Sequence, residues 1–182
     1  LELSILDTRL AEALQAWQVR CVTWLLLNAI RQDYETQRQP ETLVEASGYL
    51  KRLTDNRYRR VWTPLDGDIL YIEDRDGHSL PVELLSRGTR EQLFLSLRLA
   101  LVALFTRRGI LLPLVLDDVL VNFDDARAKS AAKVLRDFAK AGHQLLVFTC
   151  HEHVWKMFKS LKVDVRRLPT SGTEEAGPQI VH

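Results

Sequence analysis

The sequence predicts an α/β fold: a mostly parallel sheet flanked by helices, with an antiparallel β-unit and an N-terminal helical (coiled-coil) arm segment before it. Three observations lead there. Residues 2–39 contain neither Gly nor Pro and repeat apolar side chains at helical steps. Residues 58–84 change to short β-rich runs. From residue 111 near-continuous apolar strands alternate with helical stretches, as in a parallel sheet covered by helices.

The elements follow in chain order. Leu3, Leu6, Leu10, Ala13, Trp17, Trp24 and Leu27 recur at steps of three and four, interrupted by Arg20. Such a row fits a coiled-coil seam or one amphipathic helix packed on the domain, and spacing alone does not separate them. Pro40 stops this helix, because a ring nitrogen donates no hydrogen bond. A second helix is expected over about Glu41–Asp55, leading into "KRLTDNRYRR". The runs "YRRVWTPL", "DILYIED" and "HSLPVEL" are separated by Asp66-Gly67 and Asp76-Gly77, the residue pairs that tight hairpin turns prefer. A helix opening between Ser86 and Thr89 carries apolar residues on several sides and must be largely buried. Then come "LLPLVLDDVLVNFDD", a helix over about Asp125–Ala141, the strand "QLLVFTC", a short helix after His151 and a strand near "VDVRRL". The expected organisation is a helical arm segment over 1–55, one lobe over 56–168 and a disordered tail over 169–182, where "PTSGTEEAGPQ" has little to bury.

Composition narrows the function classes. At 182 residues, 46% hydrophobic and 27% charged, the chain reads as one globular domain with an appendage. Its 25 basic and 24 acidic side chains give no global electrostatic argument for nucleic acid. Cys21 and Cys150 lie far apart within apolar pattern, which favours reduced thiols and a cytoplasmic location. No apolar run approaches the roughly 18 residues of a membrane span. The chain opens on Leu1, without a signal-like stretch, and is expected to be a fragment of something longer.

Three places can carry chemistry. The apolar run Leu111–Leu116 ends in Asp117 and Asp118, and ligands of parallel sheets bind beyond the carboxyl ends of strands. Adjacent strand residues face opposite ways, so one carboxylate can hold Mg²⁺ while the other orients a nucleophilic water. An Asp-capped turn would use the same residues. "LLVFTC" runs into His151, which can donate to a phosphate oxygen or a water, a histidine being the side chain that ordinarily titrates near neutrality; a lone histidine at a strand end is more often structural. Cys150, His151 and His153 suggest a metal cluster, but the second ligand pair of a closed zinc site is missing. Finally, Thr89-x-x-Gln92 has the spacing of a capping box, with Ser86 three residues earlier. A helix start with a hydroxyl and the flexible Gly88 offers N–H groups to an anion, or is simply capped. The basic run Lys51, Arg52, Arg57, Arg59 and Arg60 could meet DNA phosphates or form a solvated helix end, diluted by Asp55, Asp66 and Asp68.

In this order, "LLSRGTREQ", "LPLVLDD", "VNFDD" and "VFTCH" resemble the C-terminal half of an ABC-type ATPase head, in the branch of the chromosome-maintenance (SMC) proteins and the related double-strand-break-repair ATPases. The resemblance covers about residues 45–165. It implies that Leu85, Ser86, Gly88 and Thr89 form the signature motif, with Arg87 and Thr89 departing from the commoner Gly and Gln. It implies that Asp117 closes the Walker B strand and holds Mg²⁺ through water. Asp118 stands where the family has the catalytic Glu, one methylene shorter. Asn122, Phe123 and Asp124 would form the D-loop, and His151 the switch histidine that senses the γ-phosphate. ATP and Mg²⁺ are the implied cofactors.

The chain has no G-x-x-x-x-G-K-[ST], so the resemblance implies the C-terminal lobe of a split head that hydrolyses ATP only with its N-terminal P-loop lobe. Its implied partners are that lobe, a second head in an ATP-sandwiched homodimer, DNA and a nuclease subunit, with no membrane. The rival reading is a non-enzymatic coiled-coil scaffold whose degenerate head dimerises or binds DNA. A transporter ATPase fits poorly, and a metal-dependent nuclease would use Asp117, Asp118 and His151.

Overall fold

The computed structural model describes residues 2–37, 39–65, 67, 69–168 and 179–180. Its elements are α1 (Glu2–Gln37), α2 (Glu41–Leu53), β1 (Tyr58–Trp62), β2 (Tyr71–Asp74), β3 (Ser79–Pro81), a single 3₁₀ turn, α3 (Arg87–Arg107), β4 (Leu114–Asp117), α4 (Asp125–Lys140), β5 (Leu145–Phe148), α5 (Glu152–Ser160), β6 (Arg166–Arg167) and β7 (Gln179–Ile180). They form two compact units, Leu1–Pro40 with Thr63–Asp68, and Glu41–Trp62 with Ile69–His182.

The first unit is α1 and the segment that meets its end. The Gln39 side chain donates to the carbonyls of Glu35 (2.9 Å) and Thr63 (2.8 Å) and accepts from the Thr63 N–H (3.0 Å). Along α1 the expected seam residues Leu10, Trp17, Trp24 and Leu27 are exposed, and so are Val19, Val22, Leu26 and Ile30 on other sides.

In the second unit α3 is the centre. Leu93 joins Leu43, Leu50, Tyr58, Val61 and Ile72 beneath the antiparallel sheet. Leu95, Leu99, Val102 and Ala103 join Leu116, Leu120, Ala131, Leu135 and Phe138 on the other side. A helix serving two cores explains its lack of a clean polar face, although Phe94 and Leu101 are exposed. α2 packs within this unit, so the arm expected over 1–55 contributes only α1 to the first.

The three-stranded sheet has order β1-β2-β3, antiparallel throughout. Asp76-Gly77 closes its second turn, with Gly77 at φ 86°, a conformation that glycine adopts without strain. The first connection is no two-residue turn, since eight residues separate Trp62 from Tyr71. Asp66 and Asp68 themselves fall outside the described residues.

β4 and β5 pair in parallel, Asp117 opposite Phe148. Leu114, Leu116, Leu145 and Val147 pack toward the α3–α4 core, whereas Val115, Leu146 and Phe148 on the other face are exposed. The apolar runs therefore do not mark strands covered on both faces within this chain. Residues 169–178 and 181–182 of the expected tail lie outside the described residues; Gln179–Ile180 pair antiparallel with Arg166–Arg167.

Candidate functional site

The carboxyl ends of β4 and β5 meet because the parallel register sets them side by side. Asp118 lies one residue past β4 at φ 45°, so strand alternation ends at Asp117 and the turn, not the pleat, aims the second carboxylate. The Asp118 N–H donates to the Phe148 carbonyl (3.0 Å). In return the Cys150 N–H reaches Asp118 Oδ1 (3.3 Å) and the Cys150 thiol lies 3.5 Å from Oδ2. A hydrogen bond from the Thr149 hydroxyl, with further help from Cys150 and the neighbouring His151, holds the Asp118 carboxyl below its ordinary range. The hydrogen bond to Asp118 raises the Cys150 thiol, since a thiolate beside a carboxylate is disfavoured. His151 is half-buried at the start of α5, its N–H bonded to Thr149 Oγ1 (3.1 Å).

Asp117 does not join this group. Its side chain is exposed at the strand end, open to solvent and free to meet a hydrated cation. Cys150 is exposed as well, which corrects its reading as a thiol embedded in apolar pattern. His153 approaches His151 with ring centroids 5.6 Å apart.

At the start of α3, Ser86 is the N-cap and accepts the Thr89 N–H (3.3 Å). Its hydroxyl also lies 2.9 Å from Thr89 Oγ1. Thr89-x-x-Gln92 is therefore not a capping box: Thr89 is inside the helix, and the buried Gln92 amide donates to the Leu53 carbonyl (2.6 Å). Ser86 is exposed, while Gly88 and Thr89 are buried. The burial of Gly88 has a definite cause, since a Cβ there would stand 2.5 Å from Arg127 Nη1.

Arg127 links this helix start to the next loop. Its N–H donates to Asp124 Oδ1 (2.8 Å), which caps α4, and its guanidinium pairs with Asp124 Oδ2 (3.3 Å). A second link runs from Arg87 to Glu91 (3.3 Å) and from Glu91 to the Asn122 amide (2.8 Å). The expected signature residues and the expected D-loop residues Asn122 and Asp124 are thus one connected structure. Among the described residues no hydrogen bond or ion pair joins this structure to Asp117, Asp118 or His151. Sequence reading missed Arg127, Glu91 and Thr149; they belong to no spacing pattern, and their partners Gly88, Asn122 and Asp118 lie far along the chain.

The basic run is dispersed. Arg52 pairs with Asp137 (2.7 Å) and Arg60 with Glu73 (3.8 Å). Arg57 and Arg59 line a cleft of about 690 Å³ together with Asp55, Asp74 and Asp76; of the acids expected to dilute the run, Asp55 stands there, and Asp66 and Asp68 lie outside the described residues.

No family profile matches the chain. It is 35% identical over 157 residues to YhaN, an uncharacterized protein of Bacillus subtilis (strain 168), covering 85% of this chain and 16% of YhaN. It is 34% identical over 90 residues to the DNA double-strand break repair Rad50 ATPase of Sulfurisphaera tokodaii, covering 49% of this chain and 10% of that protein. The chain therefore spans a sixth or less of the length of these relatives. In fold it is similar to an SMC ATPase solved in work on ATP-driven dimerization and DNA-stimulated activation, with a TM-score of 0.57 at 14% identity over 85% of this chain and 87% of that one. It is also similar to the Smc head domain with an extended coiled coil, bound to the C-terminal domain of ScpA, from Pyrococcus furiosus, with a TM-score of 0.50 at 15% identity over 82% and 37%. The two sequence relatives and the solved SMC heads together support an SMC/Rad50-type ATPase head C-terminal region for this chain.

Proposed function

We propose that this chain is the C-terminal half of an ATP-binding and ATP-hydrolysing head that works as an ATP-sandwiched dimer in DNA repair or chromosome organisation, in the cytoplasm. The observation that carries the reading is the hydrogen-bonded closure of two parallel strand ends, with Asp118 tied to Phe148 and Cys150. It puts an ionised carboxylate and a histidine-bearing turn at one edge, where a sheet of this kind receives its ligand.

The donor chemistry fits the implied cofactors. Asp117 offers exposed hard oxygens, and Mg²⁺ is usually held by one or two carboxylates together with substrate phosphates. Bound Mg·ATP would supply the phosphoanhydride to be cleaved and the cation that neutralises it. Asp118, kept ionised by the Thr149 hydroxyl, orients a water and accepts its hydrogen bond. His151 donates toward the terminal phosphate. Ser86 and the N–H groups around Gly88 lie outside this group, consistent with a clamp for nucleotide carried by the other head. The open apolar face of Val115, Leu146 and Phe148 supports docking of an N-terminal P-loop lobe, and the exposed apolar rows of α1 support a returning arm helix. No helix among the described residues is long and apolar enough to cross a membrane.

The test is Ser86→Arg in a head that joins this lobe to its N-terminal partner. ATP binding by the single head is expected to be intact and ATP-dependent dimerisation, followed by light scattering, to be lost. Dimerisation at wild-type ATP concentrations would remove Ser86 from the clamp.

A further inference from the structure

The Cys150 thiol does no work in the reading above, yet it stands against that reading's carboxylate, 3.5 Å from Asp118 Oδ2. The ligand atoms of Asp118, Cys150 and His151 all lie within 4.8 Å of one another. The sequence pattern around Cys150 offered His153 as a third ligand; the fold instead brings Asp118 from the neighbouring strand, 32 residues away. We propose that Asp118, Cys150 and His151 hold a thiophilic divalent cation of the Zn²⁺ class, and that this cation shuts the hydrolytic site with which it shares two ligands.

The donor set selects the metal. A thiolate, an imidazole and a carboxylate together suit Zn²⁺, which takes sulfur, nitrogen and oxygen at about 2.0–2.3 Å. Mg²⁺ demands hard oxygens and keeps its waters, so it gains little from the sulfur or the ring. Tetrahedral bonds of that length need ligand atoms within about 4 Å of each other, which rotation of the exposed Cys150 thiol can supply. Three protein ligands leave a fourth position for water. On binding, the Cys150 S–H bond breaks, its proton passes to solvent and the sulfur lone pair forms the bond to the cation; nothing is oxidised or reduced.

Inhibition follows from occupancy, and that consequence alone rests on the proposed ATPase reading. An Asp118 carboxylate bound to Zn²⁺ no longer orients water, and a His151 ring bound through nitrogen no longer donates to phosphate. The described residues hold an internal control as well: Asp74, Asp76 and His78 form another cluster of similar spread, without sulfur.

The experiment titrates the reduced, untagged chain with Zn²⁺ by calorimetry and with Co²⁺ by absorbance. One equivalent is expected to bind, with a thiolate-to-cobalt charge-transfer band in the ultraviolet. Cys150→Ser should remove the band and weaken Zn²⁺ by about tenfold or more, while Cys21→Ser and His78→Ala leave both unchanged. Equal Zn²⁺ affinity in Cys150→Ser, or loss of the band in Cys21→Ser, would overturn the proposal. So would loss of binding in His78→Ala. In the joined two-lobe head with excess Mg·ATP, Zn²⁺ should lower turnover of the wild type and leave the ratio with and without Zn²⁺ near one in Cys150→Ser. A ratio equally depressed in both places the inhibitory cation elsewhere. A joined head with no turnover at all refutes the ATPase reading, while the titration still decides the metal site.

Discussion

Replacing Gly88 with Ala probes the packing between the start of α3 and the loop before α4. A methyl group there meets Arg127 Nη1 at 2.5 Å, and relief requires a retreat to the 3.4 Å of ordinary contact. The obstacle is the far end of a flexible side chain, 31% exposed, so the guanidinium swings away and gives up its pair with Asp124. An exposed pair of this kind contributes about 0.2–1 kcal/mol. Against that, Ala in place of Gly within a helix gains roughly 0.5–1 kcal/mol, less in a first turn. Gly88→Ala is therefore expected to change stability by no more than about 1 kcal/mol in urea denaturation. In an Arg127→Ala background the obstacle is gone, and the same substitution should become neutral or stabilising. The two changes should couple by about 0.5–2 kcal/mol, as contacting residues do. Simple additivity would refute the close packing of Gly88 beneath Arg127, and a loss above about 3 kcal/mol would mean that backbone, not a side-chain tip, fills the space.

Further outcomes follow from the same geometry. Leu99 on α3 is completely buried in the cluster that holds Leu116 and Leu135, so Leu99→Ala should cost about 2–5 kcal/mol, a fall in melting temperature on the order of 5–15 °C by calorimetry. Leu146→Asp on the open sheet face should leave the isolated chain within about 0.5 kcal/mol of the wild type, yet block assembly with the N-terminal lobe in a pull-down. The Thr149 hydroxyl lowers the folded-state pKa of Asp118, so its stabilising effect is present above the unfolded carboxyl pKa of about 3.9 and disappears as pH falls through the lower folded value. The urea-midpoint penalty of Thr149→Val should accordingly shrink below about pH 4; the part from the lost His151 N–H bond does not vary with pH. A penalty that grows on acidification would contradict the Asp118–Thr149 bond.

Local pattern made much of this lobe legible. The Gly- and Pro-free run defined α1, Asp76-Gly77 defined a turn, and the apolar run into Asp117 and Asp118 located the strand end, because each depends on neighbours in sequence. What pattern missed depends on partners far along the chain. Thr89 and Gln92 share the spacing of a cap, but the Leu53 carbonyl, 39 residues earlier, claims the Gln92 amide. Arg127 sets the need for Gly88, and no periodicity reports a side chain placed above a backbone. Arg87 pairs with Glu91, which also receives Asn122, and Thr89 backs the Ser86 hydroxyl; both departures from the commoner signature thus have partners within the fold. The runs in β4 and β5 looked covered on both sides because an apolar strand face reads the same in sequence whether this chain covers it or leaves it open, as it does at Val115, Leu146 and Phe148.

If this chain completes an ATP site together with an N-terminal P-loop lobe, ATP turnover by the separate and combined lobes shows it. The chain alone and the N-terminal P-loop lobe alone should be silent, their combination should hydrolyse ATP, and Asp118→Asn in the combination should abolish turnover while ATP still binds. A silent combination, or equal turnover with Asp118→Asn, would contradict the account.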